Sequence, residues 1–417
     1  MVDQYAGFRS TTLENGLTVF VSQVSERTGV RFGFAIHSGS RQDLPGKEGT
    51  AHFVEHLVSK NAPLTYKDLK EFFDQNSGHA PRLGSTRTYF SSYGFHSSAA
   101  AEPLARSLRY FGHMLVQANL EKYVERTRHI IVNEFNRKFP TDYLYHLVRR
   151  EHVSVFPNTF LTRSPNVLGT PESIRAITQE DLQTYYDTHY VPANMSVVAV
   201  GVLSLEQVVA FLKDSPFSVR KRGTRAATPN PLVDTPFPTE RFELLRYSEC
   251  EQQRKVAEYD SVAQLPGIVS IAEIDIFTAM LETRLREIIR GKHAWTYNIH
   301  CKATFLQDFY SFRIRCDALS MEAVDLIEEV VSQCIDSLTD KLQLFKRKQH
   351  GSMLRNRFND QTVLSMTTSA ISDITLYGRV ISLGEKSEET AAVAMDTMCL
   401  LTERLSRARR RTRIKLP

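Results

Sequence analysis

The 417-residue sequence predicts an α+β fold built as two units, each a mainly antiparallel sheet with helices packed on one face. Three observations carry this expectation. The chain is longer than one typical core accommodates. Segments rich in β-branched and aromatic residues come in clusters, interleaved with amphipathic helical segments instead of alternating strictly with them. A basic, proline-rich stretch interrupts the chain at 214–239, and beyond it the order of two strands, helix, strands and helices recurs.

The elements follow in order. Leu17-Thr18-Val19-Phe20-Val21 and Val30-Arg31-Phe32-Gly33-Phe34-Ala35-Ile36 read as strands. A helix around 52–58 and another near 66–76 come next, then a strand from Thr88 to Phe95 and helices near 100–117 and 121–137. Thr178 has the character of an N-cap for a further helix, because its hydroxyl can accept an orphan backbone N–H. Ser196 to Val202 is an unbroken apolar run expected as a buried strand, and 205–213 as a short helix. Pro229, Pro231, Pro236 and Pro238 disfavour both helix and central strand, so 219–239 reads as a linker between a domain at 1–218 and a second at 240–417. In the second half, strands are expected near 241–246, 254–259, 294–301 and 309–315, and helices over 268–290, 320–352 and 360–383.

The chemistry concentrates in His52-Phe53-Val54-Glu55-His56, an H-x-x-E-H array. On a helix, positions i, i+3 and i+4 share a side, so both imidazoles can reach one cation with the Glu55 carboxylate beside them. Phe53, Val54, Leu57 and Val58 fall on the opposite arc, where a core would take them. A catalytic zinc site needs three protein ligands and one open position for water. Glu134 is the candidate third ligand, because it shares a helix face with Ile130 and Ile131, and an acid on an apolar face needs a partner or a cation. The bland alternatives are two unrelated surface histidines and an acid at the edge of a buried stripe.

With these residues in place, the chain resembles the pitrilysin and mitochondrial-processing-peptidase family of zinc metallopeptidases. The 78 positions from His56 to Glu134 are close to that family's spacing. Leu13-Glu14-Asn15-Gly16-Leu17, Gly39-Ser40-Arg41 with Gly46 and Gly49, the run from Asn166 to Ile174, and Tyr190-Val191-Pro192-Ala193-Asn194-Met195 resemble its other landmarks. The likeness covers 10–215 well and 240–340 faintly. It implies two homologous α+β units, one Zn2+ per chain on His52, His56 and Glu134, and Glu55 as the base that activates water for peptide hydrolysis. It further implies an extended peptide substrate added to a sheet edge near 78–89, and a closed chamber formed as a homodimer or as a heterodimer with a second half-size member.

Some positions depart from the family pattern. Pro81 and Arg82 stand where an Asn-Ala pair is usual, and Thr127 stands where a carboxylate is common seven residues before the third ligand. His79 is a candidate to compensate. In the second half, Arg284-Leu285-Arg286-Glu287 resembles the family's arginine-bearing helix, and Trp295 or Tyr297 fits its aromatic position; Arg286 and Tyr297 are the candidate substrate-binding pair. A second reading, from a different functional class, is a non-catalytic structural or peptide-holding subunit of a heteromeric peptidase complex.

Composition narrows the alternatives. Apolar content of 42% and charged content of 24% are ordinary for a soluble globular protein, and no apolar run is long enough to cross a bilayer. The opening residues lack a basic segment followed by an apolar one, so a cytoplasmic location is expected. Five cysteines without a C-x-x-C pair fit reduced thiols better than a disulfide framework. Net charge is +5, with a basic run from Arg407 to Lys415 that reads as a solvated tail; without interleaved aromatics it predicts neither a nucleic-acid surface nor a membrane contact.

Overall fold

The computed structural model describes residues 7–24, 29–60, 66–156, 160–163, 166–225, 243–248, 257–266, 269–306, 309–338, 363–381, 385, 393, 395–408 and 411–416. They form two compact units. The first holds a five-stranded sheet of β1 (Phe8–Thr12), β2 (Thr18–Gln23), β3 (Gly29–Ile36), β4 (Ser91–Ser98) and β5 (Met195–Gly201). Its order is β1-β2-β5-β3-β4, antiparallel except for the parallel pair β2 and β5. Around it lie α1 (Thr50–Lys60), α2 (Tyr66–Ser77), α3 (Ala101–Val116) and α4 (Val124–Lys138). Next along the chain come α5 (Asp142–Val155), α6 (Phe160–Arg163), α7 (Pro171–Ala176), α8 (Gln179–His189) and α9 (Leu205–Lys213). Thr178 caps α8 as expected, its hydroxyl accepting the Asp181 N–H.

Residue parity on β3 explains where the core sits. Val30, Phe32, Phe34 and Ile36 point to one face, where they meet Phe95 of β4, Phe111 of α3 and Phe217. The opposite face carries Gly33 and Ala35 and is also covered, by the helix Val363–Tyr377 through Met366, Ala370, Ile371 and Ile374. Gly33 is required there: a Cβ would stand 2.7 Å from both Ile371 Cδ1 and Thr367 Cγ2. Because both faces are buried, β5 reads in sequence as a nearly continuous apolar run, and so does β3 apart from the half-buried Arg31.

The second unit holds β6 (Glu243–Ser248), β7 (Ala257–Pro266), β8 (Asn298–Phe305), β9 (Phe309–Leu319) and β10 (Arg411–Leu416), in the order β6-β10-β7-β9-β8. Here β6 and β10 are parallel and the remaining pairs antiparallel, the same pattern that β2-β5-β3-β4 makes in the first unit. The two units are therefore homologous in architecture, α+β with mainly antiparallel sheets. Helices α10 (Ile271–Leu285), continued by a wider π-helical stretch at Arg286–Lys292, α11 (Ile327–Asp336) and Met395–Arg407 cover this sheet. Phe277, Leu281 and Leu285 join Phe312 and Ile314 in its core.

Three expectations need correction. The basic run at the end is no solvated tail: Arg411–Leu416 pairs with β6 on one side and β7 on the other, in the place β5 takes in the first sheet. Its charges alternate with Thr412, Ile414 and Leu416, and that period of two is the strand signal the charge count hides. The strand expected at Thr88–Phe95 starts at Ser91 instead, because 82–87 runs back along β4 and 88–90 makes the turn. Finally, the units are not consecutive: 147–162 cluster with the second unit and 360–384 with the first. Of the expected linker, 219–225 lie in the first unit and 226–239 lie outside the described residues, as do 339–352 of an expected helix.

Candidate active site

The start of α1 is fixed by Asp43, a buried carboxylate that accepts the N–H groups of Gly49 and Ala51, both at 2.8 Å. An acid at a helix N-terminus satisfies orphan donors and complements the dipole. Gly49 has φ +101°, and a Cβ there would meet Leu168 O at 2.5 Å, so the chain can enter α1 only through glycine. Phe53, Val54, Leu57 and Val58 are fully buried as expected, which turns His52, Glu55 and His56 to the other side.

Those three side chains converge. The two Nε2 atoms of His52 and His56 are 3.1 Å apart, with the rings edge to face. Glu134 of α4 brings Oε2 to 3.5 Å from His56 Nε2 and 3.8 Å from His52 Nε2. Donors at about 2.0–2.2 Å from one tetrahedral zinc stand roughly 3.3–3.6 Å from each other. The separations here lie around that range, and two imidazoles with a carboxylate are a zinc donor set, so the residues present fit the ion. Of the two apolar neighbours that pointed to Glu134, Ile131 is buried but Ile130 is exposed; Thr127 and Phe135 complete the buried stripe.

Glu55 also approaches the imidazoles, with Oε2 3.8 Å from His52 Nε2, so two carboxylates compete for the third place. Their surroundings separate them. Glu134 is half-exposed and its carboxyl is held below the usual range, first by the hydrogen bond with His56. Glu55 is buried, and desolvation pushes its carboxyl up to about 7. Thr86 Oγ1 donates a long hydrogen bond of 3.4 Å to Glu55 Oε2. Gly84 lies so close that a Cβ would meet Glu55 Oε1 at 1.9 Å. Glu134 thus suits a permanently charged ligand and Glu55 a group that takes and gives a proton near neutrality. Burial, followed by the neighbouring His56, lowers His52 to about 4, which leaves its ring neutral and able to bind a cation at pH 7. His52 Nδ1 is buried with no hydrogen-bond partner.

Other expected residues stand elsewhere. Thr127 accepts a hydrogen bond from Lys60 Nζ at 2.5 Å, so no carboxylate occupies that position. His79 packs edge-on against His96, ring centroids 5.1 Å apart. In the second unit, Arg286 donates to Glu282 Oε1 at 2.8 and 3.1 Å and to Ile299 O at 2.9 Å. Tyr297 is 68% exposed with Arg290 stacked on its ring, while Trp295 is buried against His293. Gly84 and Thr86, which fix Glu55, carried no signal in sequence, because their role is a contact between a loop and a helix about thirty residues away.

Residues 19–153 match the family described as insulinase, peptidase family M16, and residues 176–348 match the peptidase M16 inactive domain. The chain belongs to the M16 peptidase family. It is 31% identical over 211 residues to a protein of Arabidopsis thaliana named "Probable mitochondrial-processing peptidase subunit beta, mitochondrial", covering 49% of this chain and 38% of that one. The mitochondrial-processing peptidase subunit beta of Bos taurus is 28% identical over 212 residues, covering 49% and 41%. These alignments thus span about two fifths of the curated relatives' own length. Among solved structures, a peptidase M16 inactive domain from Pseudomonas fluorescens superposes with a TM-score of 0.82 at 13% identity, over 99% of this chain and 98% of that one. A protease from Helicobacter pylori gives 0.78 at 18%, over 98% and 99%. The periplasmic protease PqqL of Escherichia coli gives 0.79 at 18%, over 99% of this chain and 48% of that one. At these identities the likeness concerns the fold. Among the described residues no helix is long and apolar enough to cross a membrane.

Proposed function

We propose that this chain is a zinc-dependent endopeptidase that hydrolyses short or unfolded peptides in a closed chamber, paired with a second copy or with another half-size family member. The supporting observation is the meeting of His52, His56 and Glu134 donor atoms at 3.1–3.8 Å beside the buried Glu55, whose proton affinity burial raises toward neutrality. Zinc held by these three ligands supplies a Lewis acid and an acidified water. Glu55 takes the proton from the attacking water and delivers it to the leaving amine. Gly84 and Thr86 keep its carboxylate aimed during that exchange.

Substrate has a place to lie. Segment 82–87 bonds to β4 through Arg82 and Ser85, Arg87 closes the turn on Phe90 and accepts from Ser40 N–H, and the backbone N–H groups of Leu83, Gly84 and Thr86 have no partner among the described residues. An extended peptide adds to such an edge as one more strand, with its backbone beside Glu55.

The test is direct. Full-length protein should hold one zinc per chain, measured by elemental analysis. His52→Ala should lose it, and Glu55→Gln should keep it while hydrolysis of an unfolded-peptide pool falls at least about 100-fold. Thr127 in the acid's place, with Pro81 and Arg82 in the edge loop, favours a second reading as a peptide-holding subunit. Zinc retained with no cleavage of any peptide would select it. A mass measurement on the purified complex separates homodimer from heterodimer.

A further inference from the structure

The edge segment carries an arginine that the zinc chemistry does not use. Arg82 donates its N–H to Gly94 O at 2.7 Å and accepts from Gly94 N–H at 2.9 Å, so it stands directly across from Gly94 of β4. On the far side of β4, Gly94 pairs with Gly33, and His96 pairs with Arg31 of β3. Positions in register, or two apart on one strand, share a sheet face. Arg82, His96 and Arg31 therefore rise from one face, opposite to the face of Phe32, Phe34 and Phe95. Gly94 puts no side chain between Arg82 and the neighbouring Arg31–His96 pair, while Ile371 and Thr367 of the Val363–Tyr377 helix fill the space over Gly33.

Neither guanidinium has a hydrogen-bond or ion-pair partner among the described residues, although both are half-buried. Burial first, and a neighbouring like charge second, hold each below its ordinary range; for Arg82 that charge is Arg87, with Glu55 acting in the opposite direction, and for Arg31 it is Arg82. Half-buried cations that make no hydrogen bond or ion pair are costly even though Glu55 partly offsets the charge of Arg82, and an incoming carboxylate lowers that cost with charge-assisted hydrogen bonds.

A peptide strand laid along 82–87 places alternate side chains on the face of Arg82. We propose that Arg82 and Arg31, flanked by Arg87, form a carboxylate-binding subsite that selects substrates with an acidic residue about two positions from the scissile bond. The distance follows from Gly84, which abuts Glu55 and lies two residues from Arg82. This rests on the strand-addition reading above for the substrate's path, while the charge recognition itself can be read without cleavage.

The experiment uses the full-length protein and ten-residue peptides, C-terminally amidated or free, with one Glu or Gln walked through every position. Binding is measured by fluorescence anisotropy on the Glu55→Gln chain, and kcat and KM on the unmodified one. Expected is one internal position at which Glu binds at least tenfold tighter than Gln, expressed in KM, with Arg82→Glu shifting the preference there to Lys. Preference for the free terminus alone would replace the acidic side chain by a chain-end carboxylate and overturn the proposal. Equal binding of Glu and Gln peptides everywhere, or a preference untouched by Arg82→Glu, overturns it as well, as does no peptide binding at all. Should Arg82→Glu fail to fold, Arg31→Gln must weaken the same preference at least threefold. Acid-selective binding without cleavage would sink the peptidase reading and leave this subsite standing; cleavage without acid preference does the reverse.

Discussion

Glu55 has little room on the side of Gly84. Adding one methyl at Gly84 would place a carbon 1.9 Å from its Oε1, so Gly84→Ala must push the carboxylate or the loop aside. The three atoms nearest that methyl all belong to Glu55, so under the proposed mechanism zinc content should stay near one per chain while kcat falls about 100-fold, as expected when a catalytic group is misplaced by about 1 Å. Unchanged turnover would mean that Glu55 is not the base. The raised carboxyl also has a consequence for stability. Burial moves Glu55 from 4.5 to about 7, so metal-free folded protein holds this proton more tightly than the unfolded chain. Between pH 4.5 and 7 the unfolded state binds fewer protons at this site, and stability falls as pH rises, by about 3 kcal/mol in total. His52 works in the other direction: lowered from 6.5 to about 4, it adds stability as pH rises through that window. Glu55→Gln removes the first contribution only. In calorimetry of the metal-free proteins, the variant should melt well above the parent at pH 8 and near it at pH 4; a gap independent of pH contradicts the assignment.

Among the elements, α1 was legible because its information is local: two histidines and a glutamate at i, i+3 and i+4 that converge on one side, with apolar residues on the other arc. Glu134 was reachable for a similar reason, although one of the two isoleucines that pointed to it turned out exposed. The loop 82–87 was not legible as a strand partner, since its pairing with β4 depends on a turn at 88–90 that the Thr88–Phe95 pattern conceals. The last strand shows the same limit. Arg411, Arg413 and Lys415 dominate by charge, but β10 lies inside its sheet between β6 and β7, and removing it unpairs both neighbours. Deleting 411–417 should therefore unfold the second unit. Trp295, the sole tryptophan and 8% exposed, reports on this unit, so its emission should shift to the red with loss of the cooperative transition. Native-like emission in the truncated protein would show that β10 is dispensable.

At the scale of the whole molecule, the chain does not finish one unit before starting the other. The proline-rich 219–239 suggested a clean division, yet Val363–Tyr377, far beyond it in sequence, covers Phe20, Ala35, Val198 and Val200 on the outer face of the first sheet. Nothing local to residues 1–225 announces this, because the first sheet has already buried its other face with its own helices, and a doubly covered strand reads the same whichever segment provides the cover. The first unit expressed as 1–225 would thus keep His52, Glu55, His56 and Glu134 but expose a contiguous apolar patch where the late helix belongs. Patches of a few hundred Å² drive association. This fragment is expected to bind a hydrophobic dye and elute from size exclusion as aggregates, whereas the same fragment carrying 360–384 on a flexible tether should elute as a discrete species with zinc bound. If 1–225 alone is monomeric and dye-silent, the late helix is an accessory to the first sheet and the two units fold as the sequence first suggested. If only the tethered form is soluble, the proposed zinc site depends on a segment that the chain supplies more than two hundred residues after Glu134.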